Sequence, residues 1–433
     1  FGIKQSDPER SLVYKTSEFG SNLKKSENLF TVPLLRGGRV SPEDIINGYQ
    51  YSEQARFHVL KKMAKDIDAM RELGMPDYKI KRELKKRKGI SKKVVETALK
   101  NKIHVITPNK ALISKHGDYL GKLAEDNNVN LEFEASVAGG IPILRTIKEG
   151  LATNKITKVY GILNGTSNYI LSEMRNTKDS FANVLKKAQK LGYAEPGNPK
   201  LDLNGFDAFA KVRILSALAF NTKISKHKCL MEGIEKIELK DIEIANQLNS
   251  RIKLLGISEI INNQLFETVH PCLVSKNSYI GNVGGVMNAV ILEGRPVGET
   301  ILQGEGAGPG PTSSSLLSDL LSILNGNVKK PFGIPGNKRK SIKCYNVDKY
   351  VNSLYLRFEV KDKPGVLSTI TNRLAKYKIS VKRLIQTPDK KNNKATIVII
   401  THKTNELNSK NCLSVFKKDK NILKYPTLIR IYN

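Results

Sequence analysis

Asp207 and Lys211 stand four residues apart at the head of an apolar run, "VRILSALAF". On a helix that spacing puts both side chains on one face, acid first, which is the favourable order for pairing. The stretch before them, "GYAEPGNPKLDLNGFDAFAK" (residues 192–211), is broken by Pro196, Gly197, Pro199 and Gly205 yet carries Glu195 and Asp202. Turn-rich sequence that gathers acids ahead of a lysine on an apolar helix reads as a polar substrate site at a helix start. A lysine buried beside an acid holds a proton ready for a developing alkoxide. The same pair reads equally as a structural ion pair.

Four further stretches carry chemistry-bearing residues. In "HVITPNKALISKHG", Lys110 follows a strand end and opens a helix, the place where open parallel sheets bind ligands. A solvated lysine would look the same. In "FEASVAGGIPILR", Glu134, Val137, Gly139 and Ile141 combine a carboxylate with a tight turn whose carbonyls could converge, a hard-oxygen set suited to a cation. A plain glycine turn explains that stretch as well. In "GILNGTSNYIL", Asn164, Gly165 and Thr166 end a strand and cap the next helix. In "GEGAGPGPT", Gly308 lies in a glycine loop ahead of a helix, where backbone can approach a cofactor closely. This loop lacks the strand-linked βαβ setting of a dinucleotide fingerprint.

The elements needed to position these residues alternate. Residues 104–161 read strand, helix, strand, helix, strand, which implies an α/β architecture. Helices are expected near 180–190, 206–220 and 241–255, and strands within 264–293. Residues 326–345 read as a linker. Beyond it the order βαββαβ describes a ferredoxin-like α+β unit. Residues 1–93 read as basic and helical without strands: Ser41-Pro42-Glu43-Asp44 starts one helix, and another begins at Ser91. The expected domains are therefore a helical segment 1–93, a nucleotide-binding remnant 94–135, a catalytic domain 136–325, the linker 326–345 and a terminal domain 346–433.

Bulk properties narrow the class. The chain has 433 residues, 39% of them hydrophobic, enough for several folded domains. No apolar run reaches the ~18 residues of a membrane helix. Four cysteines at scattered positions (229, 272, 344, 412) argue against a disulfide framework or thiolate zinc site and fit a reducing cytoplasm. The formal net charge is +31, but the lysines are spread along the chain without interleaved aromatics, so solvated faces explain them better than a nucleic-acid surface. The sequence opens on Phe1, which suggests a processed chain or a fragment.

Taken in order, "TPNKALISKHG", "FEASVAGGIPILR", "GILNGTSNYIL", "LGYAE", "GFDAFAK" and "GEGAGPGPTSS" resemble homoserine dehydrogenase from about Val94 to Asp319. The terminal unit, with "DKPGVL", resembles an ACT regulatory domain. The resemblance implies NAD(P)-dependent interconversion of L-homoserine and L-aspartate 4-semialdehyde, on the route to threonine and methionine. It implies Lys211 as proton donor, Glu195 as a homoserine-binding carboxylate, and Asp202 and Asp207 as acids of the substrate pocket. It further implies Lys110 near nicotinamide and substrate, Gly308 against the cofactor, and Glu134, Val137, Gly139 and Ile141 around a sodium-like monovalent cation. A homo-oligomer follows by the same route, as does an amino-acid effector, threonine, near Asp362 and Gly365. Two departures stand out. The Glu195-to-Asp202 spacing is one residue longer than the family's, and residues 1–100 contain no strand–GxGxxG–helix unit. The second departure leads to the expectation that the chain binds NAD(P) poorly, and to an alternative reading: a catalytically impaired hybrid with a helical interaction or nucleic-acid-binding front end.

Overall fold

The computed structural model describes residues 11–14, 30–33, 90–194, 200–227, 229–389 and 392–432. Along the chain these form β1 (Ser11–Tyr14), β2 (Phe30–Pro33), α1 (Ile90–Lys100), β3 (Val105–Ile106), α2 (Lys110–Asp126) and β4 (Leu131–Glu132). Next come β5 (Lys155–Ile162), α3 (Gly165–Thr177), α4 (Phe181–Lys190), α5 (Phe206–Ala219), β6 (Leu230–Met231) and α6 (Leu239–Gln247). β7 (Ser250–Ile261), β8 (Gln264–Ser275), β9 (Met287–Arg295), β10 (Gly298–Glu305) and α7 (Pro309–Leu324) follow. The last part holds β11 (Val351–Lys361), α8 (Val366–Lys376), β12 (Val381–Asp389), β13 (Lys394–Thr401), β14 (Thr404–Asn405), α9 (Glu406–Val415) and β15 (Ile422–Tyr432).

The chain divides into two compact units. One comprises Phe1–Thr153, Ala217–Ile224 and Glu305–Ser341, the other Asn154–Ser216, Ser225–Gly304 and Ile342–Asn433. In the first, β3 and β4 pair in parallel across α2, a partial Rossmann-like element. Leu112, Ile113, Leu120 and Ala124 bury one face of α2, and Leu131 and Phe133 lie buried beside it. Most of the stretch expected to be a linker, residues 326–341, is packed into this unit. The Phe332 ring sits 5.2 Å from Phe133, and Arg339, buried, pairs with Asp118 at 2.9 Å. Near the start, β1 and β2 pair antiparallel where no strand was expected. The helices expected over 41–89 lie outside the described residues.

The second unit is built on an eleven-stranded sheet, ordered β10-β9-β5-β7-β8-β15-β11-β13-β12, with β6 on β8 and β14 on β11. β15-β11-β13-β12 is the ferredoxin-like order of a βαββαβ unit, as expected. The helix expected to continue to residue 255 ends at Gln247, and Ser250–Ile261 is β7 instead. Its run "IKLLGISEII" is central: β5 pairs on one side and β8 on the other, and residues 252–258 are buried. A strand buried on both faces loses the alternation by which sequence reveals strands.

β15 adds in parallel to β8, Arg430 opposite Cys272 and Tyr432 opposite Val274. β6 pairs with the same strand at Thr268 and Val269. Pro271 falls between the two pairings, so its missing N–H breaks neither ladder. Charged groups close the join. Arg430 is buried and bonds Glu406 and Glu232 through both guanidinium edges. Arg357 on β11 is buried against Asp241 (2.6 and 3.0 Å), Glu238 (2.9 Å), Glu359 (2.7 Å) and Thr427 (3.1 Å). Tyr355 adds its hydroxyl to Asp241 at 3.0 Å. Asp241 and Glu238 also form the capping box of α6, so one guanidinium fixes that helix's start to the terminal domain's sheet.

Removing one partner of a buried pair strands the other charge, so Arg357→Met is expected to destabilise the chain by about 3–5 kcal/mol. Asp241→Leu on that background should restore part of the loss in denaturant titrations. A second expectation concerns acid. Burial, then the nearby Arg430, pushes the His270 imidazole down to about 3. The native state therefore stays neutral there while the unfolded chain takes up a proton below about 6.5. Stability should fall as pH drops from 6.5 toward 3, and His270→Gln should flatten that slope in unfolding titrations.

Candidate active site

The polar centre of the second unit forms where β5 ends, α3 starts and α5 begins. After Ile162 the chain places the Leu163 carbonyl and then Asn164, the N-cap of α3. The Asn164 carboxamide oxygen accepts from Ser167 N at 2.7 Å. Its nitrogen donates to both Asp202 Oδ1 (3.1 Å) and Asp207 Oδ2 (3.0 Å). Asp207 Oδ2 also meets Lys211 Nζ at 2.9 Å, and both side chains are less than a tenth exposed. Lys211 Nζ donates to the Leu163 carbonyl at 2.6 Å. Ser167 Oγ holds the Asp202 main-chain oxygen at 3.0 Å.

Two of the expected site residues, Asp202 and Asp207, thus converge on one asparagine, and the third, Lys211, joins them through Asp207. Local sequence gave Asn164 only a capping role. The structure shows that its oxygen caps while its nitrogen bridges two carboxylates from segments 38 and 43 residues away. The ammonium has two acceptors fixed in a region closed to bulk water, which holds its proton and its direction. Glu195 lies outside the described residues.

In the first unit, Lys110 is the first residue of α2, whose N-cap Asn109 accepts from Leu112 N at 3.0 Å. The Glu134 carboxylate was expected to face a cation. It is buried and spans Leu144 N and Arg145 N, each at 2.8 Å, capping the turn that follows. Burial pushes its carboxyl up, against the pull of Lys148 and the two N–H donors. Asp319 receives the Glu134 N–H at 3.0 Å and Arg145 at 3.4 Å, so this corner is a network the sequence did not single out. Ala138 has φ 51°, turning the chain so that Gly139 meets Gly306; a Cβ on Gly139 would lie 2.8 Å from the Gly306 oxygen. Ser315 Oγ donates to the Gly139 carbonyl at 2.5 Å. Gly308 has φ 111° and precedes α7 without a side-chain cap. No atom lies within 4 Å of a Cβ built on Gly310, and the nearest to one on Gly308 is 3.7 Å away, so the backbone here is bare. No group of three or more His, Cys, Asp or Glu side chains suited to a metal occurs among the described residues.

Asn164→Asp keeps the cap but sets a third carboxylate against Asp202 and Asp207. It should cost about 1–3 kcal/mol at pH 8 and less at pH 5, where protonation relieves the contact. Thermal unfolding at the two pH values reads the difference. An equal loss at both would mean that only the amide geometry matters.

Comparison with known proteins identifies the family. The homoserine dehydrogenase family model matches residues 142–321, and the ACT domain model matches 354–419. A homoserine dehydrogenase of Neisseria gonorrhoeae is 40% identical over 79% of this chain and 80% of its own length. One from Lactococcus lactis is 32% identical over 92% and 90%, a match that must reach into residues 1–93. The crystal structure of a homoserine dehydrogenase from Thiobacillus denitrificans superposes with a TM-score of 0.74 at 36% identity, covering 79% of each chain. Nothing in these matches supports the impaired hybrid considered from the sequence. The chain belongs to the homoserine dehydrogenase family.

Proposed function

We propose that the chain interconverts L-homoserine and L-aspartate 4-semialdehyde with NAD(P), and that Lys211 is its proton donor. The observation that carries this assignment is the buried ammonium held between Asp207 and the Leu163 carbonyl. When bound, nicotinamide supplies or accepts the hydride. In the reducing direction the aldehyde oxygen gains negative charge, and Lys211 Nζ stabilises it and then gives it a proton. Asp207 keeps the amine charged beforehand and aims it. Asp202 and Glu195 take the substrate's ammonium group, and Asn164 sets the distance between the two aspartates. Lys110 is assigned to the nicotinamide and substrate by the family resemblance.

The bare, left-handed backbone at Gly308 fits close approach of a flat cofactor ring, which a side chain would block. A sodium-like cation would be held through main-chain oxygens of Glu134, Val137, Gly139 and Ile141, because the Glu134 carboxylate already serves as a cap. For the effector, threonine at the Asp362–Gly365 turn is the reading favoured. That turn links β11 to α8, Gly365 has φ 84°, and no atom lies within 4 Å of a Cβ built on it.

Lys211→Met tests the central assignment. Aldehyde-dependent NADPH oxidation should fall about 10²–10⁴-fold while NADPH still binds, as read by its fluorescence. Activity within tenfold of the parent chain would remove Lys211 from the chemistry.

A further inference from the structure

The chain re-enters the second unit at Ser225 and again at Ile342, and a cysteine follows each entry: Cys229 and Cys344, far apart in sequence. Strand β8 brings them together. One edge of β8 is taken by β7 over its whole length. Along the other edge Cys344 bridges Leu265 in parallel, with Leu265 N donating to the Lys343 carbonyl at 2.9 Å and Tyr345 N to the Leu265 carbonyl at 2.8 Å. β6 joins the same edge with Leu230 opposite Thr268, which sets Cys229 beside Glu267. The contact of 3.9 Å between Cys229 Sγ and Glu267 Oε2 agrees with that register.

Leu265 and Glu267 stand two positions apart on β8, so their neighbours across the edge share one face of the sheet. At a strand rise of about 3.3 Å per residue those neighbours lie about 6.6 Å apart. That falls inside the Cα separation of about 4.4–6.8 Å that a disulfide spans. The two thiols are already in hydrogen-bonding contact. No disulfide joins them, and both are half-buried, whereas Cys272 and Cys412 lie buried in the two apolar clusters. Among the described residues the pair belongs to no group of three or more side chains suited to a metal, so its chemistry is that of a dithiol.

We propose that Cys229 and Cys344 are a modification site, a dithiol that a peroxide converts reversibly to a disulfide. With hydrogen peroxide, two S–H bonds and the O–O bond break, one S–S bond forms, and two waters leave. The sulfurs lose two electrons and the peroxide gains them. Two molecules of a small thiol restore the pair and leave as their own disulfide. Burial, then Glu267, pushes both thiols up, so neither is a fast nucleophile and the bond answers sustained oxidant. The contact between them raises Cys229 and lowers Cys344, which makes Cys344 the sulfur that meets the peroxide and Cys229 the one that closes the bond. Closed, the bond ties the two entry segments to each other along β8 and cross-links a long loop of the unfolded chain.

The test treats the full chain with hydrogen peroxide, quenches with iodoacetamide and maps the peptides by mass spectrometry. The expected result is one linked peptide pair joining Cys229 to Cys344, two hydrogens lighter, reversed by dithiothreitol, with a Tm several degrees higher in the oxidised chain. Cys344→Ser and Cys229→Ser should each abolish the linked pair and the Tm rise. The parent chain's peptide map decides by itself if a variant does not fold. Both thiols still alkylated after treatment, a bond to Cys272, to Cys412 or between chains, or oxygen added at either sulfur without the linked pair would each overturn the site.

Discussion

The second unit depends on keeping an ammonium charged where water is nearly absent. Removing a charge from water costs several kcal/mol unless fixed dipoles or an opposite charge replace the lost solvation. Lys211 obtains both, a carbonyl from the end of β5 and a carboxylate one turn earlier on its own helix. That requirement fixes three backbones at once. β5 must stop at Ile162 so that the Leu163 oxygen turns inward, α3 must start at Asn164, and α5 must approach with Asp207 and Lys211 on one face. Asn164 makes the arrangement rigid, since both ends of its amide are used.

The terminal domain is not appended to this arrangement by a strand of linker alone. Its last strand extends the sheet that contains β5, and its first strand carries the arginine that holds α6. Buried ion pairs contribute little net stability compared with apolar packing, but they are exacting about geometry. Arg357 is satisfied only if α6, β11 and β15 keep their register, because its partners come from all three. The same holds for Arg430, which collects Glu232 from beside β6 and Glu406 from α9. Charge thus fixes where the terminal domain's strands join the rest of the sheet, while the apolar clusters on either side supply the bulk of the burial.

Local patterns made the smaller elements and the pairing of Asp207 with Lys211 readable, because helix spacing and turn residues act over a few positions. The βαββαβ unit was readable because its strands and helices follow one another over short turns. Three things were not readable. β7 has apolar residues on both faces, and a helix segment and a doubly buried strand look alike in such a run. The join between β15 and β8 involves residues some 158 apart, and no local pattern records a partner at that range. Asn164 was given one role where the structure shows two, and the Glu134 carboxylate, read only as one oxygen ligand of a cation, caps a turn with both of its oxygens. A capping asparagine has a spare nitrogen and a glutamate has two oxygens, and where they go depends on segments that sequence leaves unplaced.

Four cations are buried among the described residues of the second unit, and how each is satisfied separates structure from site. Arg357 and Arg430 are surrounded by acids on elements they bind together, so their charge is spent on architecture. Lys211 is held by one acid and one carbonyl from two different elements, which aims the ammonium rather than tying elements together. Lys253 has two neutral acceptors, two guanidiniums for neighbours and no acid. A recess selected only for stability would exchange that lysine for an apolar side chain, since a buried charge without a counterion is the costliest of these arrangements.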